Sequence, residues 1–146
     1  MKRRIEGFSL IEVLIATLVL GVGLLGLAAL QISTLRSNRQ AHWRTVAVEK
    51  SYELADIVRV YKDKLTNGSE PCQVDDLQQE CNAWKTSLAK LLPNGSGTIC
   101  PYGGSLDQPD DRNCRAKCGG RGGDFVIKTW WKEGNEWQCF EVVFRP

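Results

Sequence analysis

The sequence predicts an α+β protein: one long N-terminal helix (about residues 8–66) packed on a small antiparallel sheet, with a second short helix and disulfide-tied loops. Three observations predict it. An apolar run from Phe8 passes directly into an amphipathic helical stripe, a β-hairpin pattern closes the chain around Gly134-Asn135, and all six cysteines fall in the second half. At 146 residues the chain suits one hydrophobic core with an appendage.

From Phe8 to Ile32 the chain runs 25 residues with a single charge, Glu12. At a rise of about 1.5 Å per residue, a helix of that length crosses the roughly 30 Å hydrocarbon core of a bilayer. Lys2, Arg3 and Arg4 precede it and cysteines follow it, which places residues 1–7 in the cytoplasm and the C-terminal region outside. A secretory signal peptide, as on a secreted enzyme, has the same basic start and apolar stretch, with Gly26 and Ala28 as its small residues. Two features argue against it: the apolar run begins directly after Gly7-Phe8, and a carboxylate sits one turn inside. A charge at mid-membrane depth costs roughly 2.5–3.5 kcal/mol on insertion scales, so Glu12 needs a partner or a snorkelling route to interfacial water. Gly21, Gly23 and Gly26 each cost up to about 1 kcal/mol in a helix. In a membrane they permit close helix approach and bending, although glycine is also simply frequent in membrane helices.

Beyond Gln31, Trp43, Ala47, Leu54, Val58, Tyr61 and Leu65 recur at helical steps, with Arg44, Glu49, Glu53, Asp56 and Arg59 between them as a solvated face. Asn67-Gly68 is the expected stop. His42, the only histidine, has no second candidate ligand nearby and reads as a solvated helix residue. Asp75-Asp76 are expected to cap a second helix carrying Leu77, Trp84, Leu88, Leu91 and Leu92 as far as Pro93-Asn94-Gly95. Residues 97–100 read as a short strand, and residues 101–123, with six glycines, as a polar loop held mainly by cysteines. The clearest element is a hairpin of Asp124 to Lys132 and Glu136 to Arg145. With a two-residue loop, residue 133 faces 136. One face then sets Phe125, Ile127, Thr129 and Trp131 opposite Phe144, Val142, Phe140 and Gln138, and is expected to lie on the long helix. The other face pairs Lys128 with Glu141 as a salt bridge and Lys132 with Trp137 as a cation–π contact.

Cys72, Cys81, Cys100, Cys114, Cys118 and Cys139 are an even set in a loop-rich region, which points to disulfides formed in an oxidising compartment. Cys72 with Cys81 closes a short loop onto the second helix and is the preferred pair. For the other four, Cys100–Cys114 with Cys118–Cys139 competes with Cys100–Cys139 and Cys114–Cys118. The spacing of Cys114 and Cys118 is near that of zinc ligands, but the match is loose and an exported chain favours disulfides, so neither metal nor cofactor is expected. The net charge of +2 comes entirely from residues 1–7, because residues 8–146 carry sixteen basic and sixteen acidic side chains. That balance offers no nucleic-acid footprint. Without a second histidine, or a Gly-rich phosphate loop followed by lysine, no catalysis and no small-molecule substrate are expected.

Lys2-Arg3-Arg4, then Gly7, then Phe8-Ser9-Leu10-Ile11-Glu12-Val13-Leu14-Ile15-Ala16 resemble the leader and N-terminal helix of type IV prepilins and type II secretion pseudopilins. The resemblance covers about the first sixty residues. It implies a type IV pilin-like fold, cleavage of the Gly7-Phe8 bond by a membrane-embedded prepilin peptidase, and N-methylation of Phe8. It also implies that Glu12 pairs with the N-terminal amine of a neighbouring subunit. The physics agrees, since opposite charges attract strongly in a low dielectric and each alone is costly there. Gly23 to Gln31, Arg36 to Arg44 and Leu91-Leu92-Pro93-Asn94-Gly95 are similar to PilV-type minor pilins. That likeness implies a structural role, in which the protein joins other minor pilins and the major pilin in a tip complex that primes assembly and supports attachment and twitching motility. The chain would first be anchored by a single pass in the bacterial inner membrane, with its C-terminal domain periplasmic, and then join the cell-surface pilus. Its segments would be a removed leader (1–7), a membrane and filament-core half-helix (8–32), an amphipathic half-helix (33–66) and a cysteine-rich domain (67–146) ending in the hairpin 124–145. A type II secretion pseudopilin shares the leader. A tip adhesin is a reading of another class, using Trp130, Trp137 and the basic loop Arg112 to Arg121.

Overall fold

The computed structural model describes residues 9–65, 69–106 and 109–146. The expected leader, Phe8 and the Asn67-Gly68 stop lie outside the described residues. The chain divides into two units, Met1–Arg39 and Gln40–Pro146. Helix α1 (Leu10–Val60) contributes to both, and is followed by α2 (Asp75–Leu91), β1 (Ser96–Leu106), β2 (Ala116–Cys118), β3 (Phe125–Glu133) and β4 (Glu136–Phe144). The four strands form an antiparallel sheet in the order β2-β1-β3-β4.

Helix α1 ends at Val60 rather than near residue 66. Tyr61 N–H donates to the Val58 carbonyl at 3.1 Å, and a 3-10 turn follows over Lys62–Lys64. This tighter turn brings Tyr61 and Leu65 against the core, while Lys64 pairs with Asp76 at the start of α2. The N-cap of α2 is Val74, and no side chain caps it. Asp75 and Asp76 instead occupy the first turn, where carboxylates face the positive end of the helix dipole.

The expected polar loop is more ordered than its composition suggests. β1 runs on through residues 101–106, and β2 pairs with it at Tyr102–Cys118 and Leu106–Ala116 across a bulge. Composition hides these strands because a bulged edge needs no apolar alternation. The hairpin sets Glu133 opposite Glu136 and Phe125 opposite Phe144. Of the two turn residues only Gly134 takes a positive φ (63°), the pattern of a type II′ turn.

One face of the sheet packs against both helices. Val46, Ala47, Leu54, Ala55 and Val58 of α1 and Leu77, Trp84 and Leu88 of α2 form one buried cluster with Ile99, Ile127, Trp131 and Phe144. Small side chains on α1 let it come close. The buried Ser51 Oγ donates to the Ala47 carbonyl and lies 2.8 Å from Thr129 Oγ1 on β3, a helix-to-sheet hydrogen bond inside the core. Trp84 Nε1 donates to the Lys50 carbonyl at 2.7 Å, tying α2 to α1. Its ring lies on Gly97, where an added Cβ would collide with both the indole and the Lys128 carbonyl.

Candidate functional site

The N-terminal segment begins where the Ser9 carbonyl accepts the N–H groups of Glu12 (3.0 Å) and Val13 (3.3 Å). Glu12 therefore lies in the first helical turn, where a carboxylate is favoured by the unpaired N–H groups and the dipole. Gly7 and Phe8, the expected cleavage and methylation residues, lie outside the described residues. From Ser9 to Arg39 every side chain is exposed, Leu10, Ile11, Leu14, Leu18, Leu24 and Leu30 included. Both threonines in this stretch use the helix's own backbone: Thr17 donates to the Leu14 carbonyl and Thr34 to that of Leu30, both at 3.0 Å. Such internal satisfaction suits a helix surrounded by lipid or by other helices. A Cβ added at Gly21, Gly23 or Gly26 would meet nothing within 4 Å, so no contact within this chain requires those glycines. α1 is long and apolar enough at its N-terminal end to cross a membrane.

The three disulfides join Cys72 to Cys81, Cys100 to Cys118 and Cys114 to Cys139. For the last four cysteines this is neither of the two arrangements weighed from sequence. Its reason is the sheet order. Residues 116–118 pair with β1 as the edge strand, which sets Cys118 beside Cys100, and the preceding residues form a strap that reaches β4 through the Cys114–Cys139 bond and the Glu141 carboxylate. Cys100, Ala116 and Val126 form a small second core beneath this strap, with Tyr102 against it.

Glu141 shows why the expected Lys128–Glu141 salt bridge does not form. The two residues are cross-strand partners. The Glu141 carboxylate, however, accepts the backbone N–H groups of Arg115 (2.9 Å) and Ala116 (2.7 Å), anchoring the strap that sequence alone did not reveal. Asp110 works similarly within the strap, accepting the N–H groups of Arg112 and Cys114 at 2.9 Å each. On the strap side of the sheet the Arg112 guanidinium lies 4.7 Å from the centre of the Trp130 ring, and Lys132 lies 6.0 Å from that of Trp137. At the far end of the hairpin Arg145 grips Asp124 with two bonds of 2.7 and 2.9 Å. The hydrogen bond from Arg145 holds the Asp124 carboxyl below its ordinary range, and the same contact raises Arg145.

The sulfur atoms of Cys114 and Cys139 lie near the Glu141 carboxylate, but the two sulfurs are bonded to each other and the carboxylate serves the strap backbone. His42 is exposed on α1.

Residues 2–28 match the family described as the prokaryotic N-terminal methylation motif. The match spans the basic start, Gly7, Phe8, Glu12 and most of the exposed apolar helix, so the chain carries a type IV prepilin-like signal on an α+β fold consistent with that of type IV pilins. No curated protein and no solved structure matches the chain. The motif implies processing by a prepilin peptidase and assembly with pilin-like subunits, and with the apolar helix it fits membrane anchoring before incorporation into a filament.

Proposed function

We propose that this protein is a minor pilin, a non-catalytic subunit that joins other minor pilins in the complex priming type IV pilus assembly. The observation that carries this reading is the coincidence of the methylation motif with a helix segment whose side chains are all exposed from Ser9 to Arg39. A surface of Leu, Ile and Val left bare by its own chain needs lipid or other helices around it. Successive environments of membrane and filament core supply both. In this reading the peptidase cuts after Gly7, the new amine of Phe8 is methylated, and Glu12 pairs with the amine of a neighbouring subunit. That pairing removes the cost of two isolated charges and fixes the axial register of the incoming helix.

The test is the intact mass and N-terminal sequence of the mature protein, followed by the fate of a Glu12→Ala variant. A start at methylated Phe8 and a variant that is processed but absent from sheared filaments are the expected results. A start at Ala29 would sink the prepilin route, and normal incorporation of Glu12→Ala would remove the charge-pairing role. Deleting the gene distinguishes the two filament systems: loss of surface pili and twitching supports the pilus, whereas loss of protein secretion with intact pili assigns the chain to a type II secretion pseudopilus.

A further inference from the structure

We infer that the outer edge of β4 pairs with the β4 edge of a second copy of this chain, antiparallel and centred on Phe140, so that the two sheets join into one. The sheet order leaves two edge strands, β2 and β4, and they differ. β2 has three residues, Lys117 among them, and meets β1 across a bulge. Shortness, lysine and bulges are devices by which proteins keep an edge from recruiting another strand. β4 has none of them. It runs nine residues from Glu136 to Phe144 without proline, lysine or arginine, and keeps an unbroken register with β3. It is also rich in strand formers: Trp137, Phe140, Val142, Val143 and Phe144. Of its residues only Phe144 is buried.

The hairpin decides which main-chain groups are available. Across a two-residue turn the flanking residues, here Glu133 and Glu136, form a hydrogen-bonded pair, and in an antiparallel ladder successive residues then turn alternately toward and away from the partner strand. Gln138, Phe140, Val142 and Phe144 therefore bond to β3, while Trp137, Cys139, Glu141 and Val143 present their N–H and carbonyl groups outward. Among the described residues those outward groups have no backbone partner. The strap is attached to β4 by side chains, through the Cys139 disulfide and the Glu141 carboxylate, and its described residues take none of these backbone groups. The complement of such a row of donors and acceptors is an extended backbone.

Self-complementarity selects a second copy as the source of that backbone. Outward residues must face outward residues, so the possible antiparallel registers differ in steps of two. Centred on Phe140, Trp137 faces Val143 of the second copy and Cys139 faces its Glu141. Two-fold symmetry repeats each pair and engages all four outward residues of both chains. Trp with Val is an aromatic and β-branched combination, which is favoured across strands. Val143, 45% exposed, gains cover by it, and an open groove bordered by Asp111, Asn113 and Trp137 leaves room for it. Glu136 falls opposite Phe144, so no carboxylate faces another. Neighbouring registers are worse. Centring on Glu141 sets that carboxylate against its own copy, and centring on Cys139 leaves Val143 opposite the turn residue Asn135.

The experiment uses the full chain in a neutral detergent, with dimer formation followed by sedimentation velocity and amide exchange resolved by NMR at low and high protein concentration. The parent should form dimers, in which the amides of Trp137, Cys139, Glu141 and Val143 exchange at least about tenfold more slowly than in the monomer. Those of Gln138, Phe140 and Val142, bonded to β3 in both states, should change by less than about twofold. Val143→Pro removes one outward N–H and leaves the bonds to β3 in place, as edge prolines do, and should weaken the dimer at least about tenfold. Val143→Lys tests the same position without altering the backbone, and should weaken it as well. Leu91→Lys changes a comparably exposed apolar residue of α2 (48%), and should stay within about twofold of the parent. Non-reducing peptide mapping that finds all three disulfides in each variant excludes misfolding as the cause. A parent that stays monomeric would overturn the inference. So would dimers whose outward amides exchange at the monomer rate, as association through the exposed helix alone would give, or equal affinities of Val143→Lys and Leu91→Lys. Protection that appears only when another pilin-like subunit is added would overturn the second copy as the occupant. None of these readouts depends on leader cleavage or filament assembly, so their failure is separable from failure of the minor-pilin reading.

Discussion

Helix α1 contains two stretches of similar regularity and opposite fate. Between Leu10 and Ile32 its leucines, isoleucines and valines are exposed, whereas between Val46 and Val58 a stripe of Val46, Ala47, Ser51, Leu54, Ala55 and Val58 is buried. Backbone hydrogen bonding is the same in both, so the difference lies in what the side chains find. The second stretch is narrow in its apolar content and lined with small residues, which lets β3 and α2 close over it. The first is apolar all round, which suits surroundings of lipid or other helices better than a single sheet face. Folding energy for the globular unit is thus concentrated in the second stretch, and assembly chemistry in the first.

The strongest way to break this comparison is to remove the side chain that holds α2 to the buried stretch. Trp84→Ala deletes a ring that is 3% exposed together with its bond to the Lys50 carbonyl, and should cost about 3–5 kcal/mol in denaturant unfolding of the full chain in mild detergent. A smaller effect is expected of Ser51→Ala, which strands the buried Thr129 hydroxyl. About 1–3 kcal/mol follows, and a Ser51→Ala/Thr129→Val double variant should recover part of it. Acid is milder still. The Asp124 carboxyl titrates lower in the folded than in the unfolded chain, so its contribution is present above the ordinary carboxylate range and is lost as pH falls through the depressed folded value. The parent should therefore lose slightly more stability than Asp124→Asn between pH 5 and pH 3, in paired unfolding curves. Smallest of all is Leu24→Ala. With no buried contact to lose, it should leave the stability of the globular unit within about 0.5 kcal/mol. A larger loss would mean that the exposed stretch also supports the domain.

Much of the fold was legible because it rests on local periodicity. The register of β3 and β4 follows from the two-residue turn at Gly134-Asn135 and the alternation of Phe125, Ile127, Thr129 and Trp131, and the structure has those residues paired as that turn requires. Helix α2 was legible from its spacing of Leu77, Trp84 and Leu88, although its cap was not. An Asp at a helix start reads as a cap, while only backbone geometry tells a cap from a first-turn residue. The strap was illegible for a different reason. Its stabilising contacts join residues 25 to 26 positions apart: the Cys114–Cys139 bond and the two N–H groups held by Glu141. Nothing in the spacing of Cys114 and Cys118 warns that they bond to different strands, β4 and β1.

By itself the sequence determined the N-terminal methylation motif over residues 2–28, the apolarity of the first helix, and the hairpin with its two faces, since each depends on residues close together in the chain. Tertiary structure alone decided which cysteines meet and that Glu141 serves a backbone instead of Lys128. Those outcomes depend on strand order, and strand order is set by the packing of the whole sheet against α1 and α2.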